Sequence, residues 1–178
     1  MRYVALLRAV NVGGAKLQMA ELREVCAELG WADVQTYIQS GNVVFASDDT
    51  PPVLEAALER AVERRFGFFR PVIVRSAEQW RVYSAGSPFP ERQASEANRL
   101  MLCLPKHPLA NGAADALQAR AAAGERVVER DGALWVHYPE GAGTTKLTPG
   151  LFDKAAGSPV TARNWRTVLA LNEMLGGD

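Results

Sequence analysis

Apolar positions in the first half of the chain follow two patterns that alternate, short aliphatic or β-branched runs and stripes with helical spacing. The runs are typical of buried strands, and the stripes are typical of helices that pack one face on a sheet. Gly30 stands where the first helix is expected to end, and Pro51-Pro52 where the second is expected to begin. The predicted elements are a strand at 3–10, a helix at 19–29, a hairpin at 34–46, a helix at 54–66, a strand at 69–75 and a short helix at 76–84.

This β-α-β-β-α-β order is the split βαβ arrangement, an antiparallel sheet with both helices on one face. The second half repeats the order less clearly, with a strand at 100–104, an alanine-rich helix at 109–123 and a hairpin that turns at Asp131-Gly132. We therefore expect an α+β protein with two ferredoxin-like subdomains, the second degraded. The predicted bounds are 1–85 for the first unit, 86–97 for a linker rich in Pro and Ser, and 98–178 for the second unit.

The end of the chain is the least regular part of this pattern. After the second hairpin we expect a flexible loop at 141–146, a short helix at 149–156 and a terminal helix with its lead-in at 161–174. One larger α+β domain is the alternative interpretation, because pattern alone fixes topology poorly.

Composition narrows the classes of function. The 178 residues carry 20 Lys plus Arg and 20 Asp plus Glu, so the molecule has no overall charge that would attract nucleic acid or a membrane. The two cysteines, Cys26 and Cys103, lie in apolar runs and are expected to be buried thiols. The N-terminal apolar run is broken by Arg8, and no later run is long enough to span a bilayer. We expect a cytoplasmic protein without a membrane partner.

The hairpin at 34–46 is the most informative stretch. Gly41 can adopt the positive φ that a tight turn needs, which explains the turn itself. It does not explain the polar side chains beside it, Gln39, Ser40 and Asn42. Their hydrogen-bonding capacity marks a candidate binding site.

A second polar group ends the first strand. Arg8 and Asn11 precede the pair Gly13 and Gly14, and consecutive glycines before a helix can turn their amides toward an anion. The alternative is a tight loop in which Asn11 satisfies backbone groups. Arg8 is harder to explain structurally, because an arginine in an apolar strand must reach solvent, a carboxylate or a ligand. The loop matches neither the Walker A nor the Gly-x-Gly-x-x-Gly pattern.

A third polar group lies near the C-terminus. Arg163 and Asn164 precede Trp165, which could stack on a base, and both polar side chains suit a phosphate or carboxylate. The alternative is that Asn164 caps the last helix while Trp165 packs in the core. Lys146 lies in the loop before this group, where it could close over an anion or solvate the loop.

These motifs together resemble domain-of-unknown-function family 1697, whose members are uncharacterised bacterial proteins. The resemblance covers nearly the whole chain and implies two ferredoxin-like subdomains, but no established activity. The chain departs from the family pattern at Ala9, where the family usually has glycine, and at Ala162, where it often has a second threonine. The residues that carry the resemblance are 6–14, 19–23, 36–45, 146–147 and 161–165.

The candidate residues favour binding over acid–base chemistry. The polar motifs contain neither His, Cys nor Asp, and Glu21 is their only carboxylate, so they offer neither a base paired with a nucleophile nor paired carboxylates. His107 and His137 are too isolated for a metal site, and no cofactor motif is present. We expect a binding module for a phosphate- or carboxylate-bearing ligand, with a nucleotide or nucleic acid among the candidates. The ligand-binding set is Arg8, Asn11, Gly13, Gly14, Gln39, Ser40, Asn42, Lys146, Arg163 and Asn164.

Two alternatives remain open from the sequence. One is an enzyme that positions a polarised substrate electrostatically, without a side-chain base of its own. The other is a protein–protein adaptor, in which the polar residues would be dispersed. The binding hypothesis instead expects the set to converge in a groove between the two units. Neither ligand identity nor oligomeric state follows from the sequence.

Overall fold

The first unit is a four-stranded antiparallel sheet with two helices, seen in a computed structural model that describes residues 1–177. The sheet order is β2-β3-β1-β4, so β1 is central and the strands follow the predicted split βαβ arrangement. The elements are β1 (Arg2–Leu7), α1 (Met19–Glu28), β2 (Ala32–Tyr37), β3 (Asn42–Ala46), α2 (Pro51–Phe66) and β4 (Val72–Ser76).

The register of β1 determines which loops of this unit meet. Leu6 pairs with Asn42 at the start of β3, and Leu7 pairs with Val72 at the start of β4. Both pairings are antiparallel, so the end of β1 lies beside the beginnings of its two neighbours. The loop after β1, the β2–β3 turn and the segment before β4 therefore lie together at one end of the sheet, where these strands start or finish.

Residues on both faces of β1 are buried, which explains its continuous apolar run. Tyr3, Ala5 and Leu7 pack in a core with α1 and α2, while the alternating residues Val4 and Leu6 are also buried. On the helical face, the ring of Trp31 stacks on Phe45 with centroids 3.8 Å apart.

The outer edge of β4 is closed by carboxylates of α2. Glu55 accepts a hydrogen bond from the Val74 amide and Glu59 accepts one from the Val72 amide, each at 2.9 Å. The glutamates are four residues apart, so they lie on one helix face and match alternate amides of the strand. This arrangement covers an edge that could otherwise pair with another chain.

The second unit repeats the topology, with sheet order β6-β7-β5-β8. The α+β fold with two ferredoxin-like units is thereby confirmed. Its helices are shorter than those of the first unit, six and eight residues against ten and sixteen. Its elements are β5 (Leu100–Pro105), α4 (Ala113–Gln118), β6 (Arg126–Arg130), β7 (Ala133–His137), α5 (Pro149–Ala156) and β8 (Val160–Asn164), followed by α6 (Trp165–Met174).

Two predicted elements of this unit were wrong in extent. The helix expected at 109–123 is only α4, because Gly112 adopts φ +76° at its N-cap and the chain turns again after Gln118. The lead-in expected before the last helix is a full strand, β8, which pairs with β5. The polar residues of β8 interrupt the apolar run that usually indicates a strand, so the sequence pattern did not reveal it. The segment is a strand because it pairs with β5, and this pairing outweighs its local pattern.

The compact units also have different boundaries from the predicted ones. They comprise Met1–Arg81 with the chain from Leu171 onward, and Val82–Ala170. The segment expected to be a linker packs within the second unit, since Phe89 is buried and its ring lies 5.9 Å from that of His137. Before it, α3 (Ala77–Ser84) begins with the expected reciprocal hydrogen bonds between Ser76 and Gln79.

Both predicted hairpins are present and occupy equivalent places in the two sheets. Asp131 and Gly132 adopt φ +55° and +71°, the left-handed pair of a type I′ turn. The first hairpin has a longer loop, residues 38–41, in which both Ile38 and Gly41 have positive φ. The turn predicted at Ser40-Gly41 is thus the second half of a four-residue loop.

Both the backbone φ and the lack of space for a Cβ require glycine at position 41. A Cβ built on it would lie 2.7 Å from Cγ2 of Val10 and 2.9 Å from Cβ of Leu7. Its carbonyl also accepts a hydrogen bond from the Leu7 amide at 2.9 Å. The turn therefore lies directly against the end of β1.

A buried carboxylate holds the loop after β7. Glu125 is 2% exposed and accepts hydrogen bonds from the Thr145 hydroxyl at 2.7 Å and the Ala123 amide at 2.8 Å. Burial acts to raise the pKa of Glu125, but these hydrogen bonds outweigh it and lower the pKa below its ordinary value of 4.5.

We expect Gly41→Ala to lower the free energy of unfolding by about 2–4 kcal/mol, from the cost of left-handed backbone and of overpacking. Ala9→Gly is the matched reverse change, because Ala9 is exposed and also adopts a positive φ, +52°. It should stabilise by up to about 1 kcal/mol. Urea unfolding measures both changes. Equal stability of Gly41→Ala and the wild type would show that neither the backbone angle nor the contact matters.

Glu125 should make stability depend on pH in the acid range. Because its folded pKa is lowered, its contribution is present above about pH 4.5 and is lost as pH falls further. Glu125→Gln should therefore be less stable than the wild type at pH 7, and the difference should shrink toward pH 3. The exposed Glu140 provides the control, and Glu140→Gln should leave the profile unchanged. A wild-type advantage that persists unchanged at pH 3 would contradict this assignment.

Candidate functional site

Three segments of the first unit meet at one end of its sheet: residues 8–18, 38–42 and 67–71. We call this surface the loop edge. The Leu7 amide, just before the first segment, donates to the Gly41 carbonyl at 2.9 Å, and the Arg8 amide donates to the Pro71 carbonyl at 3.0 Å. The backbone of β1 therefore holds the other two segments on either side of its own end.

The side chain of Asn11 links two of these segments by hydrogen bonds. Its Nδ2 donates to the carbonyl of Gln39 at 2.5 Å, and its Oδ1 accepts from the Leu17 amide at 2.9 Å. Its backbone φ of +57° is one that asparagine tolerates better than most residues. The side chain thus satisfies backbone groups, as the structural alternative expected, and it positions the turn beside the glycine loop.

Arg70 is a member of the loop edge that was absent from the predicted set. Its Nε donates to the Ala9 carbonyl at 3.3 Å and its Nη1 to the Phe69 carbonyl at 2.7 Å. The guanidinium carbon lies 5.0 Å from the centroid of Phe68, a cation–π distance. The signal was present in the sequence, because the predicted topology places the start of β4 beside the end of β1.

The glycine loop is exposed and leads into a helix. Gly13 and Gly14 have φ of +59° and +90°, and a Cβ on either would meet no atom within 4 Å. The N-cap of α1, Gln18, makes no side-chain capping hydrogen bond. Backbone amides of this loop and the positive end of the helix dipole therefore belong to the loop edge.

The polar side chains of the hairpin divide into a structural and an exposed group. Asn42 is fully buried, and its Nδ2 donates to the Tyr37 carbonyl and to the Ser40 hydroxyl, both at 3.0 Å. Gln39 is exposed. Asn42 and Ser40 thus stabilise the loop, while Gln39 presents its amide at the surface.

The loop edge is cationic in a chain of zero net charge. Its three segments contain Arg8, Lys16 and Arg70 and no Asp or Glu. Arg8 is partly buried, whereas Lys16 is exposed. The three segments therefore carry positive charge alone, and the Glu59 carboxylate that accepts a hydrogen bond from the Val72 amide next to them belongs to α2.

In the second unit the structure assigns Arg163 and Asn164 internal roles. Arg163 is 8% exposed, and its Nη1 donates at 2.8 Å to both the Thr161 hydroxyl and the Ala162 carbonyl. Burial lowers the pKa of Arg163 to about 10. Asn164 accepts a hydrogen bond from the Thr167 amide at 2.9 Å and so caps α6.

Trp165 and Lys146 are the other two residues of the second unit that the sequence suggested as ligand contacts. Trp165 is buried, with its ring 5.8 Å from that of Trp135, which confirms the core alternative over base stacking. Lys146 is exposed and follows Thr145, the residue held by Glu125. Of the predicted second-unit donors, Lys146 is the one that presents its charge to solvent.

Metal binding, thiol reactivity and membrane spanning can also be assessed for the described residues. Among residues 1–177, no group of three or more His, Cys, Asp or Glu is arranged to hold a metal ion. Cys26 and Cys103 are buried, and burial raises the pKa of each thiol to about 12, so both are protonated near neutral pH. None of the helices in this part of the chain has the length and apolarity needed to cross a bilayer.

Comparison with known proteins identifies a family. The family model described as "Protein of unknown function (DUF1697)" matches residues 1–135, which include the whole loop edge. The structure of a conserved bacterial protein from Streptococcus pneumoniae is similar, with a TM-score of 0.74, 26% sequence identity and 98% of each chain covered. No curated protein matches the sequence. The chain therefore belongs to the DUF1697 family of proteins of unknown function.

Proposed function

We propose that this protein binds an anionic ligand, bearing a phosphate or a carboxylate, at the loop edge of the first unit. The observation that carries the proposal is the charge of that edge: three cations and no carboxylate in three segments held together by hydrogen bonds. Three segments that carry positive charge alone give this part of a neutral chain a local positive potential, which favours an anion.

The donors of the loop edge suit an oxyanion. Arg8 and Arg70 have the guanidinium fork that matches carboxylate and phosphate oxygens. Gly13 and Gly14 are exposed residues of the loop that leads into α1, whose N-terminal dipole favours negative charge. Arg70 is already ordered by the Ala9 and Phe69 carbonyls, so little side-chain freedom would be lost on binding.

The same residues favour binding over acid–base catalysis. The three segments contain no His, Cys, Asp or Glu, so they supply neither a general base nor a thiol nucleophile. Arg163 and Asn164 are used within the second unit, and anion binding at the loop edge requires neither of them.

Removing one cation should weaken anion binding without unfolding the protein. We expect Arg70→Ala to raise the Kd for pyrophosphate at least about tenfold, since a hydrogen bond to a charged group contributes about 1.5–3 kcal/mol. Arg8→Ala should have an effect of the same size. Isothermal titration calorimetry at low salt measures both, and thermal unfolding checks that each variant is folded.

Arg64→Ala is the matched control, because Arg64 is an exposed cation of the same unit on α2, outside the loop edge. Its Kd should equal that of the wild type, and Arg70→Lys should recover part of the binding. No binding of pyrophosphate to the wild type at millimolar concentration, or equal losses in Arg64→Ala and Arg70→Ala, would overturn the proposal.

A further inference from the structure

The loop edge exposes apolar side chains as well as cations. Val12, Ile38 and Phe69 are 59%, 53% and 50% exposed, one in each of the three segments. Two side-chain hydrogen bonds join the segments, from Asn11 to the Gln39 carbonyl and from Arg70 to the Ala9 carbonyl. Val12, Ile38 and Phe69 are each next in sequence to one of these residues. Each of the three segments that form the proposed anion site therefore exposes one apolar side chain.

A bare anion makes no use of this apolar surface. Exposed apolar side chains that cluster at a polar site are typical of a surface that contacts a ligand or partner. The ligand that fits both features carries its negative charge next to an apolar body. Phe69 offers the flat face on which a ring of such a ligand can stack.

Gln39 adds a polar group beside this apolar surface. It is exposed, and among the described residues its side-chain amide has no hydrogen-bond partner. An amide carries both donors and an acceptor, the combination that reads the edge of a nucleobase. Phe69 for the face and Gln39 for the edge together match a base more closely than they match an alkyl chain.

We infer that the ligand is a nucleoside phosphate unit, held by its phosphate at the cations and by its base at Phe69 and Gln39. This inference rests on the anion site proposed above. The unit could be a free nucleotide or part of a single strand, since unpaired bases in a strand are recognised by the same stacking and edge contacts.

The test compares adenosine 5′-monophosphate with ribose 5-phosphate, which has the same phosphate and sugar but no base. Calorimetry on the wild type should show the nucleotide binding at least about tenfold more tightly, since stacking one base on an aromatic side chain contributes about five- to 150-fold. Phe69→Ala should remove most of that difference and leave the Kd for ribose 5-phosphate unchanged. Gln39→Ala should reduce it further and alter the preference among the four bases.

Val53→Ala is the matched control, because Val53 is 51% exposed on α2 of the same unit. It should bind both ligands as the wild type does. Equal Kd values for the two ligands in the wild type would overturn the inference and leave the anion site standing. Failure of both ligands and of pyrophosphate to bind would overturn the anion site itself.

Two further ligands identify the source of the unit. A single-stranded oligonucleotide that binds more tightly than the mononucleotide, with affinity that falls steeply with salt, would support a strand as the partner. Equal affinity for the two would support a free nucleotide. Binding to vesicles rich in phosphatidylserine, with no binding of any nucleotide, would show that the apolar side chains contact lipid and would overturn the inference.

Discussion

The contact of Gly41 with the end of β1 is the constraint on which the loop edge depends. The turn backbone approaches Leu7 and Val10 so closely that even a methyl group on Gly41 would collide with them. This approach brings Gln39 within reach of Asn11, whose amide then fixes the glycine loop. Three residues other than glycine at this edge, Ala9, Asn11 and Ile38, adopt positive φ. Such backbone costs about 1–3 kcal/mol per residue and persists where the surrounding structure imposes it, which often occurs at functional sites.

Much of the fold could be predicted because local pattern and topology agree in the first unit. The apolar run of β1, the helical stripes and the Ser40-Gly41 turn lead to the observed element order, and repetition of that order predicts the second unit. Prediction failed where tertiary contacts decide the structure. The polar sequence of β8 becomes a strand because β5 offers an open edge to pair with, and no single-sequence pattern records that partner.

The candidate site could be predicted only in part, because tertiary contacts also decide which polar side chains are available to a ligand. Sequence identifies side chains that can donate hydrogen bonds, but not whether the fold already uses them. Asn42 and Asn164 proved to hold a hairpin and to cap a helix, and Asn11 to join two loops. Arg70 was missed because it stands alone beside Pro71, outside any polar cluster, and only strand order brings it to Arg8. Ala9 adopts a positive φ of +52°, a backbone angle that glycine accepts without strain.

The most direct test of the central claim is a titration of the ¹⁵N-labelled protein with pyrophosphate, followed by the backbone amide signals in NMR. The loop-edge account predicts that the amides of Gly13, Gly14 and Gln39 shift together and give one Kd. The amides of Gly132 and Gly157, in turns of the second unit, should stay in place. Shifts confined to the second unit, or a loop edge that stays unchanged while other amides saturate, would contradict the claim that this edge is the anion site.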